Sequence, residues 1–417
     1  MNRVAAIVLS GGEGTRLFPL TLSRCKPALC FGGRYKLIDI PISNSINSGC
    51  NKIFVVTQFL SASLHQHIFN TYRPDNFNLG FLKILSAEQK PSKQGWFKGT
   101  ADAVRQNIEY LQEVPVDYFL ILSGDQLYTM DYSEMLQAAV KSNADVVVAA
   151  LPVGAEDCKR MGILKTDAQN KIIDFIEKPQ DLSVIKHMQL LSEVDEEASQ
   201  KYLGSMGIYL FKREALLNLL KEDSREDFGK HLLPTMIQRG KAAAYVFEGY
   251  WEDIGTIESF YNANIALTAK EPLLDCYDEF NPIHTTRSNL MGPKIFNTLI
   301  NQSILCEGCI LEADEISYSI LGPRTVVKKG TIITSSYIMG HDYYNLPAKT
   351  ESLPEELHIG KNCIITKSII DKNVCIGDNV RLINKNNLSH YDGNNIYIRD
   401  GIIIVPRGAT ISDGFVL

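Results

Sequence analysis

No apolar run in this sequence approaches the ~20 residues that a membrane-spanning helix needs, so no such span is expected. The first ten residues hold a strand-like run without the basic stretch and cleavage site of a secretory leader, and a cytoplasmic location is expected. An excess of positive charge is also missing. Lysine and arginine number 42 against 48 aspartates and glutamates, a formal charge of −6, which lacks the basic footprint of a nucleic-acid partner. The nine cysteines are odd in number and scattered, which suits free thiols better than a disulfide framework. Cys306 and Cys309 form the only CxxC, and with no second pair at zinc spacing they read as two small buried residues.

What is present is the composition of a globular protein, 45% hydrophobic and 22% charged. At 417 residues the chain is too long for one ordinary core, and two domains, or three, are expected. To about residue 268 the runs "VAAIVLS", "NKIFVVTQF", "VDYFLILSGD" and "ADVVVAALPV" read as buried strands. Between them "SASLHQHIFNTY", "GTADAVRQNIEYLQEV" and "YSEMLQAAVKSN" carry helical spacing, and a further helix is expected within "EDIGTIESFYNANIALTAKEPLL". Such alternation implies βαβ units, a mostly parallel sheet, and ligands at the carboxyl ends of its strands.

The last part keeps another rhythm. Ile304, Ile310 and Ile316 are six apart, as are Ile320, Val326, Ile332 and Ile338, and the beat resumes at Ile364, Ile370, Ile376 and Leu382. That period fits the hexapeptide repeats of a parallel β-helix, whose aliphatic side chains would enter one continuous core. Residues 341–358 then read as a loop thrown out from the stack. The expected division is 1–270 for the first domain, 271–293 for a linker and 294–417 for the β-helix.

Chemistry starts at Gly11-Gly12-Glu13-Gly14, which follows the first strand and runs into Thr15 and Arg16. No Gly-Lys-Ser/Thr closes it as in a Walker loop, and Leu17 stands where a dinucleotide fingerprint needs its third glycine. What remains is a turn whose backbone approaches phosphate closely, with Arg16 suited to bidentate oxygen contacts. Arg24 and Lys26 follow, just before Pro27. Two or three cations near a glycine turn suit a triphosphate or pyrophosphate, although each alone is more often a solvated surface group.

Asp125 closes the apolar strand "YFLILSGD", and Asp253 stands beside a glycine at the head of a helix. Each has a plainer reading as a turn aspartate; meeting over the phosphate turn, the two would suit an octahedral Mg²⁺. Gly99, Thr100 and Ala101 open another helix, either as a plain capped start or as a floor for a flat base. In "FIEKPQD", Lys178 is a candidate for a second, smaller phosphate. Glu177 and Ser205 are candidates for hydroxyls.

In order, "LSGGEGTRLFPLT", "RCKPALCFGGRYKLIDIPISNSINSG", "FKGTADAV", "LSGDQLYTMDY", "FIEKP", "SMGIYLF" and "YWEDIGTIESFYNAN" closely resemble the glucose-1-phosphate adenylyltransferases. The resemblance spans nearly the whole chain, including "IIDKNVCIG" and "YIRDGIIIV" among the repeats. It implies an α/β fold: a Rossmann-like nucleotidyltransferase domain with a mostly parallel sheet, then a C-terminal left-handed β-helix, assembled as a homotetramer. It also implies that ATP and glucose 1-phosphate become ADP-glucose and pyrophosphate, with Mg²⁺ as cofactor, in glycogen- or starch-type glucan synthesis.

The resemblance assigns roles as well. Leu9, Gly11, Gly12, Gly14, Thr15 and Arg16 match the loop that wraps ATP, and Lys26 matches the lysine on its phosphates. Gln89 matches a glutamine near the adenine, beside the wall of Gly99, Thr100 and Ala101. Asp125 and Asp253 match the metal carboxylates, with Arg16, Lys26 and Asp125 as the catalytic set. Gly162, Glu177, Lys178 and Ser205 match the glucose 1-phosphate site. Phe97 stands there too, where many bacterial members carry tyrosine.

Family members respond to small-molecule effectors, 3-phosphoglycerate or fructose 1,6-bisphosphate as activators and phosphate or AMP as inhibitors. Arg24, Lys372 and Arg407 are the candidate effector cations. Ser23 replaces a lysine usual in the fructose-bisphosphate branch, which puts that activator in doubt. Rival readings are a UDP-, dTDP- or GDP-sugar enzyme, a non-catalytic regulatory subunit, and an acyltransferase. The last lacks a histidine placed as a general base within a repeat; His341 and His358 only flank the loop.

Overall fold

The computed structural model describes residues 1–73, 80–88, 95–190, 201–345 and 356–417. In chain order the strands of its first part are β1 Val4–Ser10, β2 Cys30–Phe31, β3 Tyr35–Lys36, β4 Lys52–Thr57, β5 Phe81–Ser86 and β6 Tyr118–Ser123. There follow β7 Gln126–Tyr128, β8 Val146–Val153, β9 Gly162–Thr166, β10 Ile172–Glu177, β11 Tyr202–Lys212, β12 Ala242–Val246 and β13 Trp251–Asp253.

The main sheet runs β10-β9-β11-β6-β1-β4-β5, with β8 pairing both β11 and β12. Pairing is parallel among β5, β4, β1 and β6 and between β12 and β8, whereas β11 enters antiparallel. The continuous apolar runs follow from burial on both faces. In β1, Val4, Ala6 and Val8 join one core while Ala5 and Ile7 join the other; in β6, Leu120 and Leu122 oppose Phe119 and Ile121.

Helices cover both faces. Tyr132–Ser142 starts at Asp131, whose carboxylate accepts from Ser133 N at 2.8 Å. Ile257–Ala266 has a reciprocal cap: Thr256 Oγ1 accepts from Ser259 N at 3.1 Å, and Ser259 Oγ accepts from Thr256 N at 3.0 Å. The helical run after Gly99 divides at Asn107 into Thr100–Gln106 and Ile108–Gln112. There the Asn107 amide donates to Ala103 O at 2.9 Å, a local bond that competes with helix continuation.

From Lys294 onward, short parallel strands stack coil upon coil. One face stacks Leu299–Asn301, Glu315–Ser317, Ile332–Thr334, Ile364–Thr366 and Arg381–Leu382. The strand containing Ile332 pairs directly with the one containing Ile364, and Tyr337–Ile338 pairs directly with Ser368–Ile370, so a segment within 341–358 leaves the stack, as expected. Of that insertion, residues 346–355 lie outside the described residues.

The expected inward beat needs correction. Ile316, Ile338, Ile370, Ile376 and Leu382 do fill the interior, but at the other corners the buried residue comes one later: Leu311, Leu321, Val327, Ile333 and Ile365. The phase slips because some steps between inward residues are five long, Leu311 to Ile316, Ile316 to Leu321, Ile333 to Ile338 and Ile365 to Ile370, while others keep six. Ile320 instead points at the first domain, where it joins Tyr337, Ile369 and Ile404 in that domain's core, with Phe260 and Tyr337 at 5.9 Å between ring centres. The β-helix therefore packs through one apolar face. All nine cysteines are free thiols, Cys306 and Cys309 among the buried ones.

Candidate active site

The cleft opens at the carboxyl ends of β1, β4 and β6, has a volume of about 760 Å³, and extends between the glycine turn and the tip of β10. Leu9, Gly11 and Gly12 continue β1 into its wall. Gly14 takes φ 65°, and its carbonyl accepts from Leu17 N and from Thr21 Oγ1, both at 3.0 Å. A Cβ there would stand 3.1 Å from Thr21 Cγ2 and 3.2 Å from Lys26 Cβ, so glycine lets the turn lie against the root of Lys26. Gly14 and Thr15 thus shape the turn from behind, while Arg16 faces the cleft.

Asp125 and Asp253 do meet. β7 pairs antiparallel with β13, setting Asp253 opposite Gln126 and beside Asp125. Lys26 Nζ lies 2.7 Å from Asp125 Oδ2 and 3.7 Å from Asp253 Oδ1, and Ser123 Oγ donates to Asp125 Oδ1 at 2.5 Å. Burial opposes charge on both acids. For Asp125 the Lys26 ammonium and the Ser123 hydroxyl outweigh it and hold the carboxyl below its ordinary value. For Asp253, burial and the charge of Asp125 outweigh the pull of Lys26, and the carboxyl is raised.

Two convergent carboxylates are a donor set that fits Mg²⁺, which characteristically takes one or two protein carboxylates with waters and substrate phosphates. Among the described residues no group of three or more His, Cys, Asp or Glu offers a fuller metal site.

At the far end, Glu177 and Lys178 close β10. Lys178 holds φ 46°, a left-handed conformation uncommon for a side chain of its kind, with its N–H bonded to Met161 O at 3.1 Å. Glu177 lies against two glycines: a Cβ on Gly162 would stand 2.7 Å from Glu177 Oε2, and one on Gly229 3.0 Å from it. Burial raises the Glu177 carboxyl; Lys178, with Nζ 3.7 Å away, pulls it down and Asp227 pushes it up. Ser205 sits where the register of β11 shifts, with Gly207 at φ 71° donating its N–H to Ser205 Oγ at 3.3 Å.

The helix start at Gly99 is pinned rather than free. Ala101 N donates to Glu226 O at 2.8 Å, and Phe228 N donates to Thr100 Oγ1 at 3.1 Å. A Cβ on Gly99 would stand 2.4 Å from Glu226 O, which only glycine avoids. Gly99 and Thr100 line the cleft with Phe97, while Ala101 is buried behind them. Gln58 holds the Phe97 backbone, its Oε1 accepting from Phe97 N at 2.6 Å. Gln89 lies outside the described residues.

Arg24 corrects the reading of the cation cluster. It is 1% exposed and turned away from the phosphate turn, its Nη2 donating at 2.5 Å to both oxygens of Asp371 in the β-helix. Only Arg16 and Lys26 of the three cations serve the cleft. Lys372 Nζ and Arg407 Nη2 each lie 2.8 Å from Asp342, so Arg24, Lys372 and Arg407 gather at the junction of the two parts, away from the cleft. Burial alone would raise the nearby Cys30 thiol, but Lys36, Lys372 and Arg24 bring it below its ordinary value.

Sequence reading passed over Gln126, Arg160, Tyr209, Asp227 and Trp251, all of which line the cleft. Gln126, Tyr209 and Trp251 lie inside motifs quoted above, but nothing in their types marks them there. Arg160 and Asp227 lie in loops whose approach depends on tertiary packing.

A glycine turn, paired carboxylates and separate cations at the carboxyl ends of an α/β sheet are a setting suited to phosphate-bearing ligands. Residues 5–270 match the nucleotidyl transferase family, and the chain belongs to it. Residues 289–416 match the GLGC left-handed parallel β-helix domain. The two in this order are the architecture characteristic of the glucose-1-phosphate adenylyltransferases.

Proposed function

We propose that the protein transfers the adenylyl group of ATP to α-D-glucose 1-phosphate, releasing pyrophosphate and supplying ADP-glucose for glycogen- or starch-type glucan synthesis in the cytoplasm. The observation that carries this reading is Lys26 set between Asp125 and Asp253, with Lys178 at the other end of the same cleft. A phosphate oxygen of the sugar phosphate attacks the α-phosphorus of ATP in line. The new P–O bond forms as the bond to the β-phosphate oxygen breaks, and the electron pair leaves with pyrophosphate. A phosphate monoester is already an anion at neutral pH, so no protein nucleophile or base is needed, and catalysis is positioning plus charge stabilisation.

Lys178 anchors the incoming phosphate, with Glu177 and Ser205 beside it for ring hydroxyls. Arg16 and Lys26 stabilise the charge that accumulates on pyrophosphate. Asp125 and Asp253 are the residues that would hold Mg²⁺, which supplies charge neutralisation between the two anionic substrates. Gly99, Thr100 and Phe97 flank the base side. The cations at the junction of the two parts, Lys372 and Arg407 with Arg24 behind them, support effector control by 3-phosphoglycerate or a related anion, in a homotetramer. The test is to incubate ATP with labelled glucose 1-phosphate and Mg²⁺, with and without effector, and to identify the product. ADP-glucose supports the reading; labelled glucose 1-phosphate recovered intact refutes it.

A further inference from the structure

Three residues that line the cleft each carry a buried polar atom with no hydrogen-bond partner among the described residues: Ser10 Oγ, Gln126 Oε1 and Trp251 Nε1. Gln126 is the one whose free atom is an acceptor only. It lies one residue after Asp125, is 7% exposed, and its Nε2 donates to Met206 O at 2.8 Å. Because a backbone carbonyl only accepts, that bond fixes which end of the amide is nitrogen, and the oxygen is the end left over. Met206 sits between Ser205 and Gly207, in the irregular stretch of β11. A buried acceptor without a partner is costly unless a ligand satisfies it.

We propose that Gln126 is a specificity-determining residue for the sugar phosphate, its amide oxygen accepting a hydrogen bond from one hydroxyl of the hexose ring. This rests on the adenylyltransferase reading above. The chemistry selects the ligand group. An amide oxygen repels phosphate oxygens and needs a donor, and the adjoining Ser205–Gly207 segment belongs to the sugar side, whereas the base side is built on Gly99 and Thr100. The Met206 bond holds the amide before substrate arrives, so the acceptor is preorganised.

The experiment compares kcat/KM of the parent and of Gln126→Met, which keeps length and volume but has no donor and only a weak thioether acceptor. Substrates are glucose 1-phosphate and its 2-, 3-, 4- and 6-deoxy analogues, with dATP as a control on the ribose hydroxyl. The parent is expected to lose roughly 10- to 100-fold on one deoxy sugar, Gln126→Met to lose a similar factor on glucose 1-phosphate, and the variant to be indifferent to that one deoxygenation. A purely structural role would weaken every sugar equally and leave the discrimination intact, which overturns the proposal, as does an effect confined to dATP. Gln126→His, with one ring nitrogen to donate to Met206 and one to accept, restores discrimination in part and serves if the methionine variant does not fold. No turnover of ATP with glucose 1-phosphate by the parent overturns the adenylyltransferase reading itself; turnover without coupling at residue 126 overturns this inference alone.

Discussion

At the scale of single residues, the cleft separates roles that kinetics distinguishes. Asp125→Ala removes a charge that matters most as the two anions approach in the transition state, so kcat is expected to fall on the order of 10²- to 10³-fold with KM little changed. Lys178→Ala is expected mainly to raise KM for glucose 1-phosphate, and an unchanged KM would contradict that role. The raised Asp253 carboxyl gives a pH signature. Its protonation discharges half of the carboxylate pair, so kcat/KM is expected to fall as pH drops, at a pH above that of an ordinary aspartate. In Asp125→Asn one of the charges that raises Asp253 is gone, and the residual activity should show this acid limb at lower pH. A limb that stays put assigns it to another group, Glu177 being the next candidate.

Much of this site was readable before folding. Glycine, arginine, lysine and aspartate at strand ends carry their chemistry in their types. Arg24 was misread because sequence proximity to Lys26 says nothing of direction: the two side chains leave one short loop toward opposite partners, Asp125 and Asp371. Gln126 has no signal in its type, and only a bonded nitrogen with an unbonded oxygen reveals it.

At the scale of elements, the register of the β-helix makes a sharp stability prediction. Ile333 is buried in the interior while its neighbour Ile332 is not, although the six-residue beat favoured Ile332. Ile333→Ala is expected to cost about 2–5 kcal/mol and Ile332→Ala well under half as much, as measured by denaturant unfolding. The reverse ranking would contradict the register. The sequence period was visible because coils repeat, but its phase depends on which steps are five residues long rather than six, such as Ile316 to Leu321 and Ile333 to Ile338, and aliphatic residues at both neighbouring positions leave that open. The strands of the first domain were easier, since burial on both faces leaves runs such as β1 and β6 without a polar residue until their ends.

His341 supplies a second prediction at this scale. It is 3% exposed with both ring nitrogens unpartnered among the described residues, and burial, joined by Lys372 and His358 and opposed by Asp342, pushes it down to about 4. The unfolded chain titrates near the ordinary ~6.5, so between these values the unfolded state binds more protons and stability falls as pH falls. The group's contribution is complete above ~6.5 and lost by ~4, on the order of 3 kcal/mol in all. Thermal unfolding at pH 7 and pH 5 should show a drop that His341→Leu reduces. An equal drop in the variant would rule this histidine out as its source.

At the scale of the whole molecule, the two parts are joined by a shared apolar core and by the Arg24–Asp371 pair buried within it. Asp371→Asn leaves a buried guanidinium without its counter-charge and is expected to cost about 3–5 kcal/mol, whereas replacing both members by apolar residues of similar volume costs much less. Differential scanning calorimetry of the single and double variants reads the difference. Two parts with different periods were evident from the sequence. How one face of the β-helix closes the core of the other part was not, because Ile320, Tyr337 and Ile369 look like ordinary repeat positions until both surfaces are seen together.

The central claim is that one cleft holds ATP for attack at its α-phosphorus by glucose 1-phosphate. The measurement that tests it most directly is pyrophosphate release with glucose 1-phosphate and Mg²⁺, run in parallel with ATP, UTP, dTTP and GTP, for the parent and for Asp125→Ala. Rapid release with ATP alone, slowed on the order of 10²- to 10³-fold in the variant, is the predicted result. Release favouring another nucleotide, or none with any of the four, would contradict it.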